Sequence, residues 1–166
     1  MSVKTVGLIA LVFALVPFAY SLDRPNLNGN WRLEPSKSEV HSRIPTELTW
    51  QIEQNDESIH LVQRSQEKKN ADEIRCATDG KDCKVKDEGH SAVVSFYYNG
   101  AALIELESEG QNKDTVTKKR MQVSSDGNTL TVDVIHVLPA GKPAEKLVLT
   151  RQAGDGDHLK ELFRSK

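Results

Sequence analysis

Between residues 47 and 152, apolar and polar side chains alternate in short runs separated by glycine-bearing turns. In "ELTWQIEQ" (47–54), Leu48, Trp50 and Ile52 fall on one face and Thr49, Gln51 and Glu53 on the other. Successive side chains of a strand point to opposite faces, so a period of two marks a half-buried β-strand. Similar runs recur in "IHLVQRS", "EIRCAT", "CKVKD", "SAVVSFYY", "AALIELESE", "DTVTKKRMQVSS", "NTLTVDVIHVL" and "AEKLVLTRQ". With "GNWRL" ahead of them, the pattern predicts eight to ten short strands and no long interior helix.

Three dipeptides set the expected registers. Asp79-Gly80, Asn99-Gly100 and Asp126-Gly127 each suit a type I′ hairpin turn, which needs positive φ at both central residues. Around the first, Cys76 falls opposite Cys83. Cross-strand Cα atoms lie about 4.5–5.5 Å apart, within reach of a disulfide, so these two cysteines are expected to be bridged. Around the second, Val93, Ser95 and Tyr97 share a face with Ala102, Ile104 and Leu106. The other face carries Val94, Phe96, Tyr98 and Leu103, then Glu105 and Glu107. Around the third, Val123 meets Leu130, Met121 meets Val132, Thr117 meets His136, and Arg120 meets Asp133 on the opposite face. Strands joined by such short connections are antiparallel, and a meander of this length removes its free edges by closing.

The N-terminal segment reads differently. Lys4 precedes the apolar run "TVGLIALVFALVPFA", and Ala19 and Ser21 occupy the −3 and −1 positions of a cleavage site. This is the pattern of a secretory signal peptide over residues 1–21. The run is shorter than the roughly 20 apolar residues that span a bilayer, so no stable membrane span is expected after cleavage. Residues 22–152 then form one domain, and residues 153–166 a tail or short helix capped by Asp157. Export also supplies the oxidising compartment that a disulfide requires.

Composition narrows the chemistry. The net charge of −2 comes from interspersed signs with no basic stripe, which argues against nucleic acid. The five histidines are scattered and lack metal-ligand spacing, so no metal site is expected. No catalytic set and no cofactor motif stand out, and the expected protein is not an enzyme.

The opening "GNWRLEPSKS" carries a resemblance. Gly29-x-Trp31 on the first strand of an all-β chain is similar to the Gly-x-Trp start of lipocalins and the wider calycin group. Gly29, Trp31, Leu33, Pro35, Lys37 and Ser38 also match the opening of small secreted bacterial proteins described as lipocalin-like. The resemblance implies an up-and-down antiparallel β-barrel with Trp31 packed across its closed end. Residues 36–46 are too few for the two helices that the fatty-acid-binding branch places between its first strands.

A ligand of such a barrel would occupy the lumen. The expected lining residues are Ser95, Tyr97, Ile104, Thr117, Met121, Val134 and His136, with Lys119 a further polar group on that face or, in a filled barrel, reaching to the rim. The expected function is a secreted or periplasmic non-enzymatic protein holding a small hydrophobic or amphipathic molecule. The alternative is an envelope or extracellular interaction module with a filled barrel. It would act through an outer apolar patch at Val94, Phe96, Tyr98 and Leu103.

Overall fold

A computed structural model describes residues 24–41, 47–87, 90–110 and 114–153. The expected signal peptide and the tail from 154 onward lie outside the described residues. Ten strands make one sheet: β1 Gly29–Leu33, β2 Leu48–Gln54, β3 Ser58–Ser65, β4 Asp72–Ala77, β5 Cys83–Asp87, β6 His90–Asn99, β7 Ala102–Glu109, β8 Thr115–Val123, β9 Thr129–Leu138 and β10 Glu145–Gln152. A single 3₁₀ turn, Pro35–Lys37, stands between β1 and β2 among the described residues. No helix of the described residues is long and apolar enough to cross a membrane.

The spatial order is β4-β3-β2-β1-β10-β9-β8-β7-β6-β5, with every neighbouring pair antiparallel. The sheet curls until β4 and β5 face each other, giving an all-β, up-and-down, nearly closed barrel. Among the described residues no hydrogen-bond ladder joins those two edges.

The Cys76–Cys83 disulfide joins them instead, with S–S 2.00 Å and Cα–Cα 5.9 Å. The expected bridge is present, but the expected hairpin is not. Beyond β4 the chain leaves its neighbour and lies against β6. Asp79 bridges to Tyr97, and the Gly80 N–H donates to the Phe96 carbonyl at 2.8 Å. Thr78 N–H donates to the Glu57 carbonyl at 2.8 Å. The glycine's positive φ of 80° serves this corner rather than a two-residue loop.

The second turn also shifts. Asn99 pairs with Ala102, so Gly100 and Ala101 form the loop. The third hairpin holds all four expected pairings, from Val123–Leu130 to Thr117–His136.

One end of the barrel is packed solid. Trp31 is fully buried, and its Nε1 donates to the Leu27 carbonyl at 2.8 Å. Trp50, Ile52, Ile59, Leu61, Phe96, Met121 and Leu130 belong to the same core cluster. Arg151 on β10 stacks over the Trp31 ring at 4.2 Å and donates through Nε to the Gly127 carbonyl at 2.7 Å. Its Nη1 donates to the Asn28 carbonyl. Gly29 lies beneath that guanidinium with φ of +133°, so the glycine of Gly-x-Trp makes room for an arginine more than 120 residues away. Gln54 ties the same end together, donating to the Pro25 carbonyl at 3.0 Å and the Tyr98 hydroxyl at 2.7 Å.

Candidate functional site

Which face of β6 and β7 looks inward decides what a lumen could bind. Val94, Phe96 and Leu103 are fully buried in the core cluster, with Tyr98 packed against it. Alternation then points Ser95, Tyr97 and Ile104 to the opposite, outer face, where Ser95 and Tyr97 are half-buried and Ile104 is covered completely. These three expected lining residues are corrected accordingly, and the outer patch of the interaction reading is corrected with them. Val94, Phe96 and Leu103 are core, and Tyr98 is half-buried against them.

On β8 and β9 the expected face is the inner one. Met121 is fully buried, Val134 nearly so, and Thr117 and His136 face each other in register with partial exposure. Met121 belongs to the solid core, which leaves Thr117 and His136 toward the other end.

Phase along β7 carries two carboxylates inward behind Leu103. Glu105 is opposite Lys119, and Glu107 is opposite Thr117. Lys119 Nζ bonds Glu105 Oε1 at 2.7 Å and Glu107 Oε2 at 3.0 Å. Glu105 is 0% exposed, and its Oε2 has no protein partner. Lys119 thus does not reach the rim as a solvated charge; it neutralises a buried carboxylate. Burial pushes the Glu105 carboxyl above its ordinary range, with Lys119 pulling against that push. For Lys119, burial opposes the charge, but Glu105 and Glu107 outweigh it and raise the ammonium's pKa. Trp50 Nε1 is a second buried polar atom without a protein partner.

Lys119 and Glu107 also line a cavity of about 330 Å³. It opens where β4 and β5 fail to pair. Ile74 from β4, Val85 from β5 and Ala92 from β6 make its apolar wall, and Asp72, Glu73 and Glu109 stand around it. Lys68 lines it too, bonded to both carboxylate oxygens of Asp72 at 2.8 and 2.7 Å. None of the seven residues expected to touch a ligand lines this cavity. Thr117 and Val134 are the register partners of Glu107 and Lys119, and His136 lies one strand further than Thr117. The sequence did contain the signal: Glu105 and Glu107 are in phase with Leu103, and Lys119 with Met121. Among the described residues no three His, Cys, Asp or Glu side chains come together as a metal site.

No protein-family model matches the chain, and no curated protein matches its sequence. Its architecture does match solved structures. An abundant heat soluble (SAHS) protein from Ramazzottius varieornatus superposes with a TM-score of 0.64 at 10% identity, over 80% of this chain and 99% of that one. A REP1-NXSQ fatty acid transporter gives 0.60 at 13% identity, over 78% and 98%. Apo lipid binding protein 8 of Caenorhabditis elegans gives 0.57 at 13% identity, over 75% and 94%. Ten antiparallel strands, the near-closed barrel and these likenesses together establish a lipocalin/calycin-like fold.

Proposed function

We propose that the protein is an exported, non-enzymatic binding protein that holds a small amphipathic molecule at the β4–β5 opening of its barrel. The observation that carries this reading is the cavity of about 330 Å³, apolar on the side of Ile74, Val85 and Ala92 and polar at Lys119 and Glu107. Its volume lies at the lower end of the roughly 300–1,000 Å³ of small-molecule sites. A short chain or a single ring fits that space. The described neighbours named as a fatty acid transporter and a lipid binding protein share the architecture and support the ligand class. Thr117, the register partner of Glu107, and His136 opposite it lie beside this floor on β8 and β9.

Export is supported by the N-terminal pattern and by a disulfide at the barrel's opening, since such bridges persist in oxidising compartments. We read residues 22–152 as the mature domain. Native mass spectrometry of the exported chain tests both halves of the reading. It should show a start at Leu22 and a co-purifying small molecule. A ligand-free chain that takes up no Nile red would defeat the binding function, and an intact N-terminus would defeat the export.

A further inference from the structure

We propose that the cavity takes the head of a neutral, hydroxylated amphiphile and discriminates against carboxylates. This rests on the binding function proposed above and specifies its ligand. The reasoning starts from the hydrogen-bonding capacity left at the polar floor. An ammonium carries three N–H donors, and Lys119 uses two of them on Glu105 and Glu107. One donor remains on the residue that lines the cavity. Glu107 binds Lys119 through Oε2, and its Oε1 accepts from no protein group among the described residues. The floor therefore offers one donor and one acceptor side by side. A hydroxyl matches both, accepting from Lys119 and donating to Glu107.

A carboxylate matches only half of this. It accepts from Lys119 but has no proton for Glu107, and it would be the third carboxylate around one ammonium. Charge elsewhere in the cavity gives it no relief. Lys68, which also lines the cavity, already holds both oxygens of Asp72; Glu109 adds negative charge, and Glu73 is itself held by His60 and Arg75. Beside Glu105 and Glu107 a further carboxylate meets like charge, which costs binding. A cationic head suits the glutamates but meets Lys119.

The test compares three heads on one tail: 1-decanol, decanoate and decylammonium, each displacing Nile red from the full exported chain at neutral pH. Decanol should displace the dye at a concentration about tenfold lower than decanoate, the scale of one hydrogen bond and one repulsion. Glu107→Gln removes one negative charge, and the decanoate-to-decanol ratio should move about tenfold toward decanoate. Decanoate or decylammonium binding as tightly as decanol overturns the head-group assignment while leaving the binding function standing. Failure of all three to displace the dye, or of the dye to bind, overturns the binding function itself.

Discussion

Removing the disulfide tests whether a covalent bond stands in for the missing ladder. The perturbation is Cys76→Ala with Cys83→Ala. The cysteines are 7 residues apart, so the closed loop holds about eight residues. The loop-entropy relation then gives a loss of about 8 cal/mol/K, or about 2.5 kcal/mol at 25 °C. Cys76 is itself core, so truncation should add a further fraction of the methylene-scale cost. Urea melts of the variant, of the native chain and of the native chain reduced by dithiothreitol separate the two contributions, because reduction opens the loop without deleting a sulfur. Amide exchange supplies the local readout. Among the described residues β4 pairs only with β3, and β5 only with β6. Without the bridge, amides of Asp72–Ala77 and Cys83–Asp87 should exchange faster, while those of Thr129–Leu138 follow global unfolding. An unchanged urea midpoint together with unchanged exchange at the two edges would refute the idea that the bridge holds the barrel shut.

Trp31→Ala should cost about 3–5 kcal/mol in a urea melt, as truncating a buried aromatic does, and wild-type stability would remove Trp31 from the core. Gly29→Ala should cost about 1–3 kcal/mol, because a Cβ there meets the Arg151 guanidinium and the φ of +133° strains any other residue. Lys119→Met leaves Glu105 buried without its counter-charge and should cost about 3–5 kcal/mol at neutral pH. That loss should shrink on acidification. Burial raises the Glu105 carboxyl in the folded state above its ordinary 4.5, so the fold holds this proton more tightly than the unfolded chain does, and the contribution weakens as pH rises through that window. A variant whose melting midpoint has the same pH dependence as wild type between acid and neutral would break the argument.

The all-β class and the β8–β9 register were legible because their signals are local and redundant. Asp126-Gly127 fixes the turn, and Met121, Val132 and Val134 leave one apolar face to bury. In β6–β7 the signal was ambiguous. Both faces near the turn are apolar, and Glu105 and Glu107 made the true inner face look solvated. A carboxylate can be buried only with a partner, and that partner, Lys119, lies on the next strand, where alternation along β7 alone cannot show it. The disulfide was inferred from a hairpin that does not form. Asp79-Gly80 does turn the chain, but toward β6, because the choice of neighbour depends on how the whole sheet closes. The cavity was not visible in the sequence for the same reason: it lies where pairing stops, and a stop in pairing leaves no mark on either strand.

The closing of β1 on β10 makes the chain a ring with two different interruptions. Between β10 and β1 the hydrogen-bonded ladder is continuous and the backbone is not; between β4 and β5 the backbone is continuous and the ladder is not. Moving the backbone break to the second place yields a circular permutant that joins residue 153 to residue 24 and starts within 79–81. Each of its nine ladders would join strands adjacent along the chain, which lowers the contact order and should speed folding. In the native order, Gly29, Trp31 and Arg151 must meet from opposite ends of the domain before the solid end can form. In the permutant they would lie within one hairpin, and the folding rate would measure how much of the native barrier is the search for that single encounter.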